Sequence, residues 1–218
     1  MNARFELLVF DWDGTLMDST GMIARSIQRA FADVGLPVPE DREARYVIGY
    51  GLTEAMSHLA PQASEAQIRA VVDAYRQHFL AKDQELQLYR GVETGLARLQ
   101  QAGYRMAVAT GKSRAGLDRV LRATGLGAFF EVTRTADEAF SKPHPAMLEY
   151  ILDFTAVSPT RTLMIGDTTH DLQLAINAGT ASVGLSYGAH AADELQALAP
   201  LAMFDDFPAL VDWILTDA

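Results

Sequence analysis

Residues 5–10, Phe-Glu-Leu-Leu-Val-Phe, form a short, nearly unbroken apolar run closed by the turn Asp11-Trp12-Asp13-Gly14. This is the pattern of a strand buried on both faces, as in a parallel sheet, rather than the strict alternation of a strand with one wet face. Similar runs return at 104–109, ending at Thr110, at 130–134, at 162–165, ending at Gly166-Asp167, at 181–185 and, as an edge, at 201–204. Segments of helical period lie between them. One ends at Gly103, one runs from Ser113 to Thr124 and is closed by Gly125, and one is opened by Pro143 and carries Met147, Leu148 and Ile151. Two more follow, after Asp171 to near Gly179 and over 207–215. Strands alternating with helices predict an α/β fold built on an open parallel sheet.

Residues 18–84 break the alternation, because no β-rich apolar run occurs there. Asp18-Ser19-Thr20 reads as a helix N-cap before the stripe Met22, Ile23, Ile27, Ala30, Phe31 and Val34, with Gly35 as the stop. After Pro37 and Pro39 a short helix is expected over 41–46, then the interruption Gly49-Tyr50-Gly51, then a helix over 52–59 ended by Pro61. Ser64 with Gln67 is a capping box opening a helix with Ile68, Val71, Val72, Tyr75 and Phe79 on one side. The expectation is a helical unit of residues 18–84 inserted into a core of residues 1–17 and 85–218, with the chain returning through 86–91.

Composition narrows the function classes. With 218 residues, 49% of them hydrophobic, the chain can bury a sizeable core. A net charge of -10 works against nucleic-acid binding, which rests on cations neutralising phosphates. Zero cysteines exclude disulfides and thiolate metal sites and fit a cytoplasmic location. Met1-Asn2-Ala3-Arg4 is not followed by a signal-type apolar region, and no run approaches the ~20 apolar residues of a membrane span, so neither targeting nor a membrane partner is expected. The five histidines share no ligand spacing, which argues against zinc.

The candidate chemistry lies at strand ends. Asp11 and Asp13 share a face while the extended geometry lasts, and their repulsion is relieved by a proton or by a divalent metal, for which oxygen ligands favour magnesium. A solvated Asx turn is the plain alternative. Asp11, Thr110 and Asp167 each follow the carboxyl end of a separate expected strand, where ligands sit in open parallel sheets. Asp167 and Asp171 are four apart where a helix opens, so both face one cation or Asp171 stabilises the helix N-terminus.

Asp11-Trp12-Asp13-Gly14-Thr15, Ala109-Thr110-Gly111-Lys112, Ser141-Lys142-Pro143-His144-Pro145 and Gly166-Asp167-Thr168-Thr169-His170-Asp171 together resemble, in order, the four motifs of the haloacid dehalogenase superfamily. The resemblance covers nearly the whole chain and is closest to the phosphoglycolate phosphatase-like branch. It implies a Rossmann-like, doubly wound core with a helical cap, acting on a small phosphorylated metabolite. It further implies Asp11 as the nucleophile of an aspartyl-phosphate mechanism, Asp13 as acid and base, Thr110 and Gly111 as a phosphoryl cradle and Lys142 as the neutralising cation. Magnesium (Mg2+) would be held by Asp11, the Asp13 carbonyl and Asp167, with Asp171 bound through water or positioning Asp167. Many members carry asparagine where Gly111 stands. Lys112 is read as a solvated residue or a rim contact, His144 and His170 as polar neighbours, and Arg45 as a substrate contact in the cap or a surface arginine. A sugar phosphomutase and a catalytically silent binding protein are the competing functions.

Overall fold

A computed structural model describes residues 4–82 and 85–216. Gln84, the expected end of the insertion, and the chain ends Met1 and Ala218 lie outside the described residues. The strands are β1 (Leu7–Phe10), β2 (Arg105–Thr110), β3 (Val132–Thr135), β4 (Thr162–Gly166), β5 (Ala181–Leu185) and β6 (Met203–Phe204). They form one sheet in the order β3-β2-β1-β4-β5-β6, each neighbouring pair parallel. The helices are α1 (Thr20–Val34), α2 (Asp41–Tyr46), α3 (Leu52–Leu59), α4 (Glu65–Leu80), α5 (Val92–Gln101), α6 (Arg114–Thr124), α7 (Ala146–Thr155), α8 (Thr169–Ala178), α9 (Ala192–Gln196) and α10 (Phe207–Thr216). No helix among the described residues is long and apolar enough to cross a membrane.

The unbroken apolar character of β1 follows from its central place. Leu8 and Phe10 pack on one face with Val92, Leu96, Leu117 and Phe207, whereas Leu7 and Val9 pack on the other with Met147, Ile151 and Leu174. Successive strands run outward from β1 to β3 on one side and from β4 to β6 on the other, so the direction of winding reverses between β1 and β4. In open α/β sheets the crevice beyond the strand ends at such a reversal is where ligands bind. Asp11 and Asp167 stand there.

Helices α1 to α4 close over a separate apolar cluster that includes Ile27, Phe31, Met56 and Val71. The two chain segments linking them to the sheet run side by side: Asp18 N–H donates to the Gln87 carbonyl (2.9 Å) and Tyr89 N–H to the Leu16 carbonyl (3.0 Å). The capping box at Ser64 and Gln67 forms as the sequence spells it.

Two local expectations are corrected. Ser19 does precede α1, but its hydroxyl makes no cap bond and is spent on Asp13 instead. Pro143 does not open α7, which starts at Ala146; residues 141–144 make a turn in which His144 N–H meets the Ser141 carbonyl (3.0 Å), and this turn delivers Lys142 inward. The short helix α9 carried no clear apolar stripe and was not foreseen.

Candidate active site

Asp11 leaves β1 still in register, its N–H donating to the Ile165 carbonyl on β4 (2.9 Å), and its carboxylate is 1% exposed. Oδ1 accepts from Lys142 Nζ (2.7 Å), whereas Oδ2 is buried with no hydrogen-bond partner among the described residues. Lys142 is fully buried and also donates to Asp171 Oδ1 (2.6 Å). The other oxygen of Asp171 accepts from Thr168 N–H (3.0 Å) and Thr168 Oγ1 (2.6 Å), completing a capping box that opens α8. Asp171 therefore holds Lys142 and the helix start together, a pairing that its spacing from Asp167 did not reveal. Asp167 is gripped by Thr15 Oγ1 on Oδ1 and Ala189 N–H on Oδ2, both at 2.7 Å. Gly14, at φ 85°, lies so close that a Cβ there would run into the Asp167 carboxylate, so only glycine fits the turn.

Asp11 and Asp171 share one ammonium, and the buried Asp167 stands beside them without a cationic partner among the described residues. Burial pushes Asp11 up to about 7, against the pull of Lys142 and with the help of Asp171. Burial also pushes Asp167 well above the usual carboxylate range, reinforced by Asp11 and Asp171. Burial works against the Lys142 charge, but Asp11 and Asp171 outweigh it and hold the ammonium above its ordinary value. Ligand oxygens of Asp11, Asp167 and Asp171 lie within 4.8 Å of one another. An all-oxygen set with excess negative charge and an orphaned Asp11 oxygen fits a hard divalent cation such as magnesium.

The Asp13 side chain stands apart from that cluster. Its Oδ1 accepts from Ser19 Oγ (2.6 Å) and pairs with Lys112 Nζ (3.0 Å). Lys112 is thus not solvated: its side chain is 9% exposed, with the ammonium 5.1 Å from the centre of the Phe79 ring on α4. Thr110 is fully buried at the end of β2, its Oγ1 accepting from Lys112 N–H (3.2 Å). A Cβ on Gly111 would stand 2.6 Å from the carbonyl oxygens of Gly49 and Tyr50. The helical unit occupies the space that an asparagine side chain would need.

The same loop is fastened at two further points. Gly51 N–H donates to Ser141 Oγ (3.0 Å), and the Tyr46 carbonyl accepts from His170 Nε2 (2.7 Å) and His190 Nε2 (3.0 Å). His190 Nδ1 accepts from Thr169 N–H (3.0 Å), so its ring is the neutral tautomer that donates through Nε2. Burial keeps both rings neutral, lowering His170 to about 4 and His190 in the same direction. His144 takes no part in this joint; its Nδ1 accepts from Ala146 N–H (3.2 Å).

A cavity of about 650 Å³ separates the sheet edge from the helical unit, and Asp11, Asp13, Thr110, Gly111 and Lys112 line it. Arg45 does not. Its guanidinium pairs with Asp41 one turn back (2.7 Å) and donates to Thr20 Oγ1 (3.1 Å). Sequence reasoning missed Thr15 and His190, whose partners are distant in the chain, Ser19, whose bond to Asp13 competes with capping, and Thr168, whose capping box with Asp171 is local and was legible in the spacing.

This geometry agrees with the comparisons. The model of the haloacid dehalogenase-like hydrolase family matches residues 8–185, and the chain belongs to that family. It is a phosphatase, a phosphoric monoester hydrolase, of the family. It is 36% identical to "Probable phosphatase IndB" of Dickeya dadantii over 94% of this chain and 91% of that one. It is 32% identical to the phosphoglycolate phosphatase of Vibrio vulnificus (strain YJ016), covering 99% and 98%. Among solved structures, a "predicted phosphoglycolate phosphatase" from Haemophilus somnus superposes with a TM-score of 0.83 at 28% identity, covering 97% and 99%. A hydrolase from Pseudomonas syringae reaches 0.88 at 21% identity, covering 97% and 98%, a likeness of fold.

Proposed function

We propose that the chain is a magnesium-dependent cytoplasmic phosphatase that hydrolyses small phosphate monoesters through a phosphorylated Asp11. In this reading residues 18–84 form a cap over a core of residues 1–17 and 85–218. The observation that carries it is Asp11: a carboxylate lining the cavity, held by Lys142 on one oxygen and unpartnered on the other, with Asp13 two residues on. The cysteine-free composition supports the compartment.

In the first half-reaction an Asp11 oxygen bonds to phosphorus as the bond to the ester oxygen breaks, and Asp13 gives its proton to the departing alkoxide. In the second, a water oxygen bonds to phosphorus, the Asp11 oxygen–phosphorus bond breaks, and Asp13 takes the water proton. Both carboxyl groups return to their starting state. Thr110, the amides that follow it and Lys142 hold the phosphoryl oxygens as charge develops. Asp11, Asp167 and the Asp13 carbonyl would hold magnesium, with Asp171 supporting, and the ion would supply charge neutralisation.

The test is turnover of an aryl phosphate with magnesium, with calcium and after chelation, in wild-type and Asp11→Asn protein. Magnesium should support turnover, calcium poorly, and chelation should stop it. Asp11→Asn should keep its fold and lose on the order of 10⁴-fold or more in kcat. Undiminished turnover in folded Asp11→Asn, or in metal-stripped wild type, overturns the reading.

A further inference from the structure

The cavity has two unlike ends. Beyond Asp11 and Asp13 its wall is formed by Ile23, Ile27, Val47, Ile48, Tyr75 and Phe79, all from the helical unit. Of these, Ile23, Ile27, Val47, Ile48 and Phe79 are more than nine-tenths buried, so the wall is fixed in place rather than a loose fringe. Tyr75 and Phe79 stack at 5.7 Å and add a flat apolar surface. This wall lines the same cavity as Asp11 and Asp13, together with polar residues such as Glu54, Arg119 and Asp137, and offers an apolar path to the part of a substrate esterified to the phosphate.

The cations nearest the reaction centre are already committed. Lys142 is held by Asp11 and Asp171, and Lys112 is held by Asp13 at 3.0 Å. Arg45 is turned to Asp41 and Thr20. Arg76 reaches the wall from an exposed position on α4 and pairs with Asp73 at 3.3 Å. Lys112, beside Asp13, and Arg119 also line the cavity, but the band of Ile23, Ile27, Val47, Ile48 and Phe79 carries no charge, and a carboxylate laid along it would lose hydration there. A two-carbon acid is also small for a space of about 650 Å³, which falls within the range of pockets that enclose whole metabolites.

We infer that the substrate's alcohol portion is apolar along the first several atoms from the ester oxygen and larger than glycolate. The inference rests on the phosphatase reading above and names the substrate class of the same site. Binding energy along this wall comes from burying hydrocarbon, at about 0.8 kcal/mol per methylene, which is about fourfold in affinity.

The experiment measures kcat/KM of the magnesium-loaded wild type for ethyl, propyl, butyl and hexyl phosphate and for 2-phosphoglycolate. The alkyl series holds leaving-group chemistry nearly constant. The expected result is a rise with each methylene that brings hexyl over ethyl phosphate to on the order of 100-fold, with 2-phosphoglycolate below butyl phosphate. Val47→Thr, which swaps one wall methyl for a hydroxyl, should lower the hexyl-to-ethyl ratio about fivefold. A flat series, a higher kcat/KM for 2-phosphoglycolate than for hexyl phosphate, or an unchanged ratio in folded Val47→Thr overturns the inference while leaving the phosphatase intact. If no monoester is hydrolysed, the phosphatase reading fails and this inference with it.

Discussion

Across the cavity, one wall is a set of charges with assigned partners and the other is a hydrocarbon surface. On the sheet side, Asp11, Asp167, Asp171 and Lys142 are all buried, and nearly every polar atom has a partner between 2.6 and 3.0 Å away. On the helical side, Ile23, Ile27, Val47 and Ile48 meet the cavity with side chains that ask only to be kept from water. Directional bonds in a buried network fail together when one member is lost, whereas hydrocarbon contacts are lost in proportion to area. The first set therefore tolerates little change, and the second can vary in shape with modest cost; in the proposed function this suits a fixed reaction centre and a surface that selects the substrate.

The sharpest way to break the comparison is to make one deletion on each wall. Lys142→Met leaves Asp11 and Asp171 buried without their shared cation and should cost about 3–5 kcal/mol of folding stability. Ile27→Val on the opposite wall should cost about 1 kcal/mol. Urea unfolding of both variants, compared with wild type, decides; similar losses would mean that the charged wall is not the more demanding one.

A second test uses pH and metal. Asp11, raised to about 7, and Asp167, raised also, bind protons more tightly when folded than when unfolded. The contribution of Asp11 to stability is full below about pH 4 and is lost as pH rises through about 7, and that of Asp167 is lost in the same direction. His170, lowered to about 4, and His190, lowered too, act in the opposite sense: their contribution is present above the ordinary histidine value and lost as pH falls toward 4. The two effects oppose each other in metal-free protein. A cation held by ionised carboxylates relieves only the first, so the stability gained on adding magnesium should grow by about 2–3 kcal/mol between pH 5 and pH 7. Thermal or urea unfolding with and without magnesium measures it, and a gain independent of pH would separate the ion from these carboxylates.

The two walls were also unequally legible. Strand ends are marked by apolar runs that stop at Asp11, Thr110 and Gly166-Asp167, and the sheet places all three together. The helices between Thr20 and Leu80 showed themselves by the change of period and by the Ser64 capping box. What stayed hidden were choices between two sound local bonds. Ser19 precedes a helix and by propensity should cap it, yet a carboxylate six residues back wins its hydroxyl. Lys112 opens a helix and by position should be solvated, yet an acid and an aromatic ring bury it. Arg45 is held within its own helix by Asp41, one turn away. The first and third of these outcomes are local competitions between neighbouring bonds, whereas that of Lys112 depends on chain segments that meet only after folding.

The smallest change proposed here tests how the walls are held together. Gly111 is not at a positive φ, so alanine fits its backbone, but the added Cβ would stand 2.6 Å from both the Gly49 and Tyr50 carbonyl oxygens. Both obstacles are main chain and cannot swing aside as a side-chain tip can. Gly111→Ala should therefore lift the loop over residues 49–51, loosening the bond from Gly51 N–H to Ser141 Oγ and easing the Tyr46 carbonyl away from His170 and His190. Neither apolar core is touched, so overall stability should change by less than about 1 kcal/mol. The cavity, however, would admit water and lose its fitted wall. We expect kcat/KM for hexyl phosphate to fall about tenfold, with faster hydrogen exchange at the Gly51 amide. The asparagine common at this position in the family needs the same space, and Gly111→Asn should reproduce the effect. Wild-type kcat/KM together with an unchanged Gly51 exchange rate would show that the close approach of the Gly49-Tyr50 loop to Gly111 is not what holds the two walls in register.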